Sequence, residues 1–494
     1  MVEGRSRSDL EQLGHAELLG LVLELVARQD ELSAANAKLT AENERLRALS
    51  GKSSGNSSLP SSRDTAAERA RQAKERKAKR VAATSRTGGP RKAGKQKGAK
   101  GYGPKMSATP DATVEHRPHC CSGCGAGLHD VAGEVAERRQ VIDLPEPRPV
   151  ITEHQRLSCR CDFGATTSGR FPADVRAPVA DSARVRAVVV YLLARQHIPV
   201  ARVQETMRDL YGLDVSAGTI DNMYRDAGRK LKAFIAALTA VLRAMVVLHC
   251  DETTDRVGTA TVWMHVVSTR AYTLIHASWT RGHDAIIEMG VLHRYRGVII
   301  HDRLALYWKF KTAKHGLCGA HLLRDLEEVA VVATQKSWAA GLAGLLVEIT
   351  RACDDARIAG HARLAPALVR EFTARYDALV AAGIAANPDP PRGINRGYYQ
   401  RKAYNLVTAF ATRKQPILRF MNDLDTPFTN NQAERDLRPG KIHRKVSGCF
   451  RSIEGAQRHA HVRSYLSTTR KHDIGAIAAL TDLFNDRPWM PTAA

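Results

Sequence analysis

Four short segments in the middle of this sequence change its hydrophobic period from that of a helix to that of a β-strand. They are apolar or alternating and rich in β-branched residues, as is typical of strands in a partly buried sheet. The segments are Val246 to Leu248, Thr261 to Val267, Thr273 to Ala277 and Gly297 to Ile300. Helical patterns precede them from Phe171 and follow them from Tyr307 to about Ala386 and from Gly397 onwards. The sequence therefore predicts an α/β core within a mostly helical chain.

The charge of the chain favours a polyanionic partner. The 494 residues include 74 Lys and Arg against 51 Asp and Glu, a formal net charge of +23. This imbalance attracts nucleic acid or an anionic membrane, although a charge surplus for solubility is the plainer alternative. The nearest candidate for a membrane span, Leu18 to Val26, is short and contains Glu24. We therefore expect no insertion into a membrane.

The cysteines and the N-terminus are typical of a cytoplasmic protein. No apolar stretch followed by a cleavage site is evident at the start of the sequence, so we expect no secretory signal. Nine cysteines, an odd number unevenly spread, fit metal ligands and buried thiols better than a disulfide framework. The chain is also longer than a protein that folds around a single hydrophobic core usually is, which predicts several domains.

Leucine recurs every seventh residue near the N-terminus. The positions are Leu18, Leu25, Leu32, Leu39 and Leu46. This repeat keeps one stripe of a helix facing a partner and predicts a coiled coil over residues 8–50. Asn36 and Asn43 fall at the other core position of the repeat, where asparagine fixes register and favours two strands. We expect a homodimer or higher oligomer; an amphipathic helix packed on its own domain is the alternative.

A basic, flexible linker is predicted over residues 51–110. It begins with Gly51 to Ser62, which is rich in Ser, Gly and Asn, and residues 63–100 then hold 14 Lys and Arg against 3 Asp and Glu. Such a block stays extended or folds against a polyanion. A solvated tether without a specific partner is the alternative.

Two cysteine pairs in residues 111–172 predict a zinc ribbon. Cys121 and Cys124 form one pair and Cys159 and Cys161 the other. Four thiolates around one Zn²⁺ need two tight turns that each supply two sulfurs, and four protein ligands make such a site structural. Cys120 or His119 could replace one ligand, and thiols without a metal are the alternative.

A helix-turn-helix is a candidate DNA reader in residues 173–240. Two helical segments between Pro199 and Tyr224 are separated by Gly212 to Ser216, and Ser216 is suited to cap the second helix. Short helix pairs with a glycine turn are also common structural elements, which leaves a purely structural role open.

Three carboxylates could form a metal site. Asp251 and Asp302 each follow one of the apolar β-like segments, so we expect them at strand ends, where ligands gather in sheet folds. Glu434 follows two asparagines that can cap a helix and place it in the first turns. Three adjacent carboxylates repel unless cations lie between them. Two Mg²⁺ ions about 4 Å apart would serve phosphodiester chemistry there; unrelated surface acids are the alternative.

The residues that follow Glu434 are strongly basic and suit contact with DNA phosphates. They are Arg435, Arg438, Lys441, Arg444 and Lys445. A solvated basic helix is the alternative. Cys318 and His321 form a C-x-x-H pair that can bind metal, but without a second pair in the sequence we favour a structural or positioning role.

Several motifs together resemble one known family. They are Ser57 to Ser62, the two cysteine pairs, His249-Cys250-Asp251-Glu252-Thr253, Cys318 to Arg324, and Asn430 to Pro439 with Arg444-Lys445 behind it. The chain resembles the transposases of the IS66 family of bacterial insertion sequences, which belong to the DDE superfamily and have a ribonuclease H-like catalytic core. The resemblance implies that Asp251, Asp302 and Glu434 are the three acids, and it places Cys318 and His321 in a helical insertion between the last two.

The resemblance also implies how the remaining chain is organised. The ribonuclease H-like core would occupy residues 241–310 and 426–494, the latter with the third acid and the C-terminal helices, and the helical insertion residues 311–425. The coiled coil, basic linker, zinc ribbon and helical domain would precede the core.

The implied function is that of a DNA transposase with Mg²⁺ or Mn²⁺ at its acids. It would cut a strand at the terminal inverted repeats, and the freed 3′-hydroxyl would then attack target DNA, in the bacterial cytoplasm at the nucleoid. The implied partners are double-stranded transposon ends and target DNA, and two small accessory proteins of the same element. A DNA-binding regulator with a zinc ribbon and a coiled coil, whose acids are not catalytic, is the alternative.

Overall fold

The computed structural model describes residues 105–172, 175, 177–389 and 398–492, together with positions 14, 20, 26, 27, 29 and 31. The chain divides into two compact units, Met1–Asp143 and Leu144–Ala494. Apart from those isolated positions, the coiled coil predicted over residues 8–50 lies outside the described residues. The same is true of residues 51–104 of the predicted basic linker.

In the unit Met1–Asp143, the best-defined feature is a tight turn around the first cysteine pair. The amide of Cys121 donates to the carbonyl of Ala126 (2.8 Å), and the amide of Gly125 donates to the carbonyl of Cys121 (2.9 Å). Gly125 has φ +73°, a left-handed conformation that glycine adopts without steric cost. The two cysteines therefore lie on a closed turn.

The unit Leu144–Ala494 starts with a small hairpin and continues with four helices. Strands β1 (Ser158–Arg160) and β2 (Thr166–Ser168) pair antiparallel. The helices are α1 (Ala183–Ala194), α2 (Val200–Tyr211), α3 (Ala217–Lys230) and α4 (Lys232–Ala244). The predicted helix pair is α2 and α3: Gly212 ends α2 at φ +62°, and the Ser216 hydroxyl accepts from the amide of Thr219 at the start of α3.

A five-stranded mixed sheet forms the centre of this unit. Its strands are β3 (Val247–Val257), β4 (Ala260–Ser268), β5 (Thr273–Ser278), β6 (Val298–His301) and β7 (Lys314–Leu317), with the short helix α5 (His283–Glu288) after β5. The order across the sheet is β5-β4-β3-β6-β7. The pairs β3–β4 and β4–β5 are antiparallel, and β3–β6 and β6–β7 are parallel. This mixed sheet is consistent with a ribonuclease H-like core.

Strand β3 is longer than its apolar start predicts. The apolar run ends at Cys250, but the strand continues to Val257 because its polar half stays paired with β4. The prediction that Asp251 lies at the end of a strand is therefore wrong for β3 itself. What ends near Asp251 is the parallel pairing of β3 with β6, whose last pair is His249 with Ile300.

The helical pattern expected from Tyr307 onwards is wrong at Lys314–Leu317, which forms β7. This segment has two polar residues and Gly316, so no strand periodicity marks it in the sequence. It becomes a strand because it pairs with β6 from Val298–Lys314 to His301–Leu317. Tertiary pairing overrides local propensity here.

Helices follow β7 and build a separate hydrophobic core. They are α6 (Gly319–Val329), α7 (Lys336–Ile358), α8 (Pro366–Ala385), α9 (Tyr398–Thr412), α10 (Lys414–Ile417) and α11 (Arg419–Asn422). Trp338, Tyr376, Phe410 and Phe420 are buried in this core. Large aromatic side chains each bury about 150–250 Å² and therefore contribute strongly to the packing of these helices.

Three further helices, α12 (Asn431–Val446), α13 (Ile453–Lys471) and α14 (Ala476–Phe484), complete the unit. Leu437 of α12 and Ala460 of α13 pack with Val262 and Met264 of β4, so these helices cover the sheet. A second cluster joins Leu248 of β3 to helices α1–α4 and α14. Among the described residues, no helix is both long and apolar enough to span a bilayer.

Candidate active site

The register of the sheet brings Asp251 and Asp302 side by side. β3 and β6 are parallel neighbours, and His249 pairs with Ile300. Asp251 and Asp302 each come two residues after that pair. Asp302 follows the last residue of β6, and its carboxylate accepts from the amide of Leu304 (3.0 Å), which turns the chain away from the sheet. The two acids thus lie where β6 leaves the sheet.

Glu434 reaches the same region from the first turn of α12. The start of this helix is tied to β3 by Asn430, whose side-chain amide donates to the carbonyl of Cys250 (2.8 Å) and whose amide oxygen contacts Nδ1 of His249 (3.1 Å). Asn430 occupies the cap position, as expected, but its side chain bonds to β3 and not to the helix. Glu434 lies four residues, or about one helical turn, after Asn430.

The pKa of Asp251 reflects its burial and the other acids near it. Burial, together with the negative charges of Glu252, Asp302 and Glu434, raises the pKa of Asp251 to about 7, against a hydrogen bond from the amide of Glu252. Carboxylates that repel one another in this way are stabilised by a cation between them.

The donor set fits a hard divalent cation. Mg²⁺ and Mn²⁺ prefer carboxylate oxygens and water, and Asp251, Asp302 and Glu434 offer carboxylates alone. Oε1 of Glu434 is buried and has no hydrogen-bond partner, although buried polar atoms are nearly always satisfied. These residues could therefore hold such an ion.

A buried acid on the same strand fixes the chain around Asp302. The side chain of Glu252 is 1% exposed. Its Oε1 accepts from Nη2 (2.6 Å) and Nε (3.0 Å) of Arg281, and its Oε2 accepts from the hydroxyl of Tyr307 (2.9 Å). The guanidinium of Arg281 also lies 4.9 Å from the ring centroid of Trp263. Glu252 thus links β3 to the segment that follows Asp302.

Sequence reasoning missed this link between Glu252, Arg281 and Tyr307. In the sequence, Glu252 stands out only as part of the motif around Asp251, and its partners lie 29 and 55 residues away. The alternation of side chains along a strand could have indicated it: if Asp251 points to one face of the sheet, the next residue, Glu252, points to the other face. An acid on that face needs a buried partner.

Cys318 and His321 lie next to Glu434. One ligand atom from each of the three residues is within 4.8 Å of the others. Cys318 precedes α6 and His321 is in its first turn, so the pair reaches Glu434 from the start of that helix. Nδ1 of His321 is 3.7 Å from Oε1 of Glu434.

The basic residues predicted to contact DNA lie on the surface of α12. Arg435, Arg438, Lys441, Arg444 and Lys445 are all exposed. Glu434, Arg438, Lys441 and Lys445 recur at intervals of three and four residues and so share one side of the helix. This side therefore presents positive charge next to the carboxylates.

The four cysteines of the predicted zinc ribbon are free thiols in two separate units. Cys121 and Cys124 belong to the turn in Met1–Asp143, where the amides of Cys124 and Gly123 lower the pKa of Cys121. Cys159 lies in β1 and Cys161 directly follows it, in Leu144–Ala494. Zinc binding by these residues stays a prediction.

Comparison with known proteins identifies the family of this chain. No curated protein sequence matches it. The family model for the IS66 transposases ("Transposase IS66 family") matches residues 179–458, which include Asp251, Asp302 and Glu434 and amount to more than half of the 494 residues. Because the match covers the sheet and the helices that carry the three acids, this chain belongs to the IS66 family of transposases.

Proposed function

We propose that this DDE-family transposase cuts and joins DNA strands at a divalent-metal site formed by Asp251, Asp302 and Glu434. Membership of the family implies DNA transposition and a divalent metal at catalytic acids. The observation that supports the residue assignment is geometric: Asp251 and Asp302 each follow the last β3–β6 pair, His249 with Ile300, by two residues, and Asn430 ties the start of the helix that carries Glu434 to Cys250. Ions bound there would supply Lewis-acid activation of the attacking oxygen and neutralise charge on the leaving oxygen.

Apart from metal binding, the side chains of the proposed site would serve to position the DNA and the metal ligands. In-line displacement at phosphorus needs aligned oxygens and charge neutralisation more than a protein nucleophile, so we propose no covalent intermediate. Arg438, Lys441 and Lys445 would hold the phosphates that flank the scissile bond, because they share a side of α12 with Glu434. Asn430 would keep Glu434 aligned with β3 through its bonds to Cys250 and His249.

Other parts of the chain would assemble and hold the transposon ends. We propose that residues 8–50 pair two copies of the chain. In this proposal the basic linker and a zinc ribbon of Cys121, Cys124, Cys159 and Cys161 contact the terminal repeats. Two small accessory proteins and a nucleoid-associated, cytoplasmic location belong to the same proposal.

Cleavage of a labelled duplex carrying the DNA that flanks this reading frame tests the proposal. We expect the protein to nick it in Mg²⁺, and Asp302→Ala and Glu434→Gln to lower the rate about 10³-fold or more while binding is retained. Asp255→Asn is the matched control, since Asp255 is a buried acid of β3, the strand of Asp251, and lies outside the proposed site. If wild type binds but never nicks, the chain is a DNA-binding regulator and not an enzyme. If both variants nick normally, Asp302 and Glu434 are not the catalytic acids.

A second variant tests whether Glu252 positions Asp302. Tyr307→Phe removes one hydrogen bond to a buried carboxylate and should cost about 2 kcal/mol of stability. It should also raise the Mg²⁺ concentration for half-maximal cleavage about tenfold, because groups that orient metal ligands commonly change metal affinity by this amount. Tyr295→Phe is the control: its hydroxyl donates to the carbonyl of Met245 (2.7 Å), away from the three acids. Equal Mg²⁺ requirements in both variants would contradict the positioning role.

A further inference from the structure

A second set of ligand atoms lies beside the three acids and shares one of them. Sγ of Cys318, a ring nitrogen of His321 and a carboxylate oxygen of Glu434 lie within 4.8 Å of one another. Cys318 is 1% exposed, whereas the side chains of His321 and Glu434 are 30% and 35% exposed. Cys318 is therefore anchored inside the protein, whereas the side chains of His321 and Glu434 are partly exposed.

The start of α6 and the residues just before α12 are hydrogen-bonded to each other beside this group. The amide of Gly319 donates to the carbonyl of Phe428 (2.8 Å), and the amide of Asn430 donates to Sγ of Cys318 (3.2 Å). A Cβ at position 319 would lie 2.1 Å from ring carbons of Phe428, so only glycine permits this approach. The positions of Cys318 and Glu434 are thus fixed by backbone contacts and not by the group itself.

Two polar atoms of the group lack the partners that burial normally demands. Nδ1 of His321 and Oε1 of Glu434 are both buried and have no hydrogen bond. They face each other at 3.7 Å, which is too long for a hydrogen bond. It is close to, and slightly longer than, the separation of about 3.3–3.5 Å between a nitrogen and an oxygen ligand of one tetrahedral zinc ion, given the usual zinc–ligand distances.

We propose that Cys318, His321 and Glu434 bind a Zn²⁺ ion next to the proposed magnesium site. Thiolate, imidazole and carboxylate are the ligands that zinc takes, whereas Mg²⁺ takes oxygen ligands alone. Three protein ligands leave the fourth position of the tetrahedron to water. Because Glu434 belongs to both sets, zinc withdraws it from the magnesium site and inhibits cleavage. The inhibitory consequence rests on the proposed function, but zinc binding does not.

Cobalt spectroscopy tests the binding directly. The probe is Co²⁺, added to the full chain in which Cys121, Cys124, Cys159 and Cys161 are changed to Ser, so that the predicted ribbon cannot contribute. We expect one equivalent to give a near-ultraviolet thiolate-to-cobalt charge-transfer band that Zn²⁺ abolishes. In this background, Cys318→Ser should remove the band and His321→Gln should weaken Zn²⁺ binding at least about tenfold.

Cys353→Ser is the matched control, because Cys353 is a fully buried thiol of α7 outside the group and its loss should leave the band intact. Absence of a band in the background protein, or its persistence in folded Cys318→Ser, overturns the proposal. Inhibition is measured separately: Zn²⁺ should slow Mg²⁺-supported cleavage by wild type, and His321→Gln should reduce this inhibition at least about tenfold. A protein that shows the band but never cleaves DNA contradicts the proposed function and leaves zinc binding supported.

Discussion

Replacing Asp251 by Asn will abolish strand cleavage and will raise the thermal stability of the protein above neutral pH. The loss of cleavage should be about 10³-fold or more, because the variant removes a proposed ligand of the ions that stabilise the transition state. The gain in stability arises because burial and the neighbouring acids raise the pKa of Asp251 to about 7 from its usual 3.8. Its ionised form is therefore a cost to the folded state.

The sign of this effect fixes its pH dependence. Because the pKa of Asp251 is raised in the folded state, this carboxyl does not affect the free energy of unfolding below its ordinary pKa of 3.8. It lowers the free energy of unfolding progressively as the pH rises from there to about 7. The melting temperature of Asp251→Asn should equal that of wild type at a pH near the ordinary carboxyl pKa. At alkaline pH it should be about 2 °C or more higher than that of wild type, without added divalent ions. Calorimetric melting curves across this range measure it.

Asp255→Asn separates stability from function. Burial raises the pKa of Asp255 to about 6, so this variant should also gain stability at alkaline pH, yet keep its cleavage activity. A lower melting temperature of Asp251→Asn at alkaline pH, or cleavage within tenfold of wild type, would contradict the site as described.

Removing the charges of Arg438, Lys441 and Lys445 together will weaken DNA binding and reduce its salt dependence. Each phosphate contact releases about 0.9 counterion on duplex DNA, so the slope of log affinity against log salt should fall by about 2–3. At low salt we expect an affinity loss of about tenfold or more, because the salt-dependent term is a large part of DNA binding. Fluorescence anisotropy at several salt concentrations measures both.

A control triple variant places the same charge change elsewhere. Lys336, Arg351 and Arg370 are exposed residues of α7 and α8, and their replacement by Ala should change the slope by less than about 1. Equal effects of the two triple variants would mean that DNA binding reflects the net charge of the chain and not the side of α12 that carries Glu434.

The hydrophobic period predicted the core of the sheet because strands β4, β5 and β6 are apolar and β-branched. It did not predict the polar half of β3 or the whole of β7, whose strand conformation comes from pairing with neighbours distant in sequence. Propensity alone cannot supply such information, since residues 251–257 and 314–317 have no hydrophobic alternation.

For the site, the sequence predicted individual residues better than it predicted their connections. Position after apolar segments singled out Asp251 and Asp302, and the asparagines located Glu434 in the first turn of a helix, where α12 has it. The link from Glu252 to Tyr307, and the approach of His321 to Glu434, join residues 55 and 113 positions apart in the chain. Only the register of β3 with β6 and the hydrogen bonds between the start of α6 and the residues just before α12 bring these residues together.

The most direct test is a crystal structure of the chain grown with Mn²⁺ and recorded at a wavelength where manganese scatters anomalously. We expect at least one anomalous peak that lies within about 2.0–2.5 Å of a carboxylate oxygen of Asp251 and of a carboxylate oxygen of either Asp302 or Glu434. A peak bound elsewhere, or carboxylates too far apart to contact one ion, would contradict it.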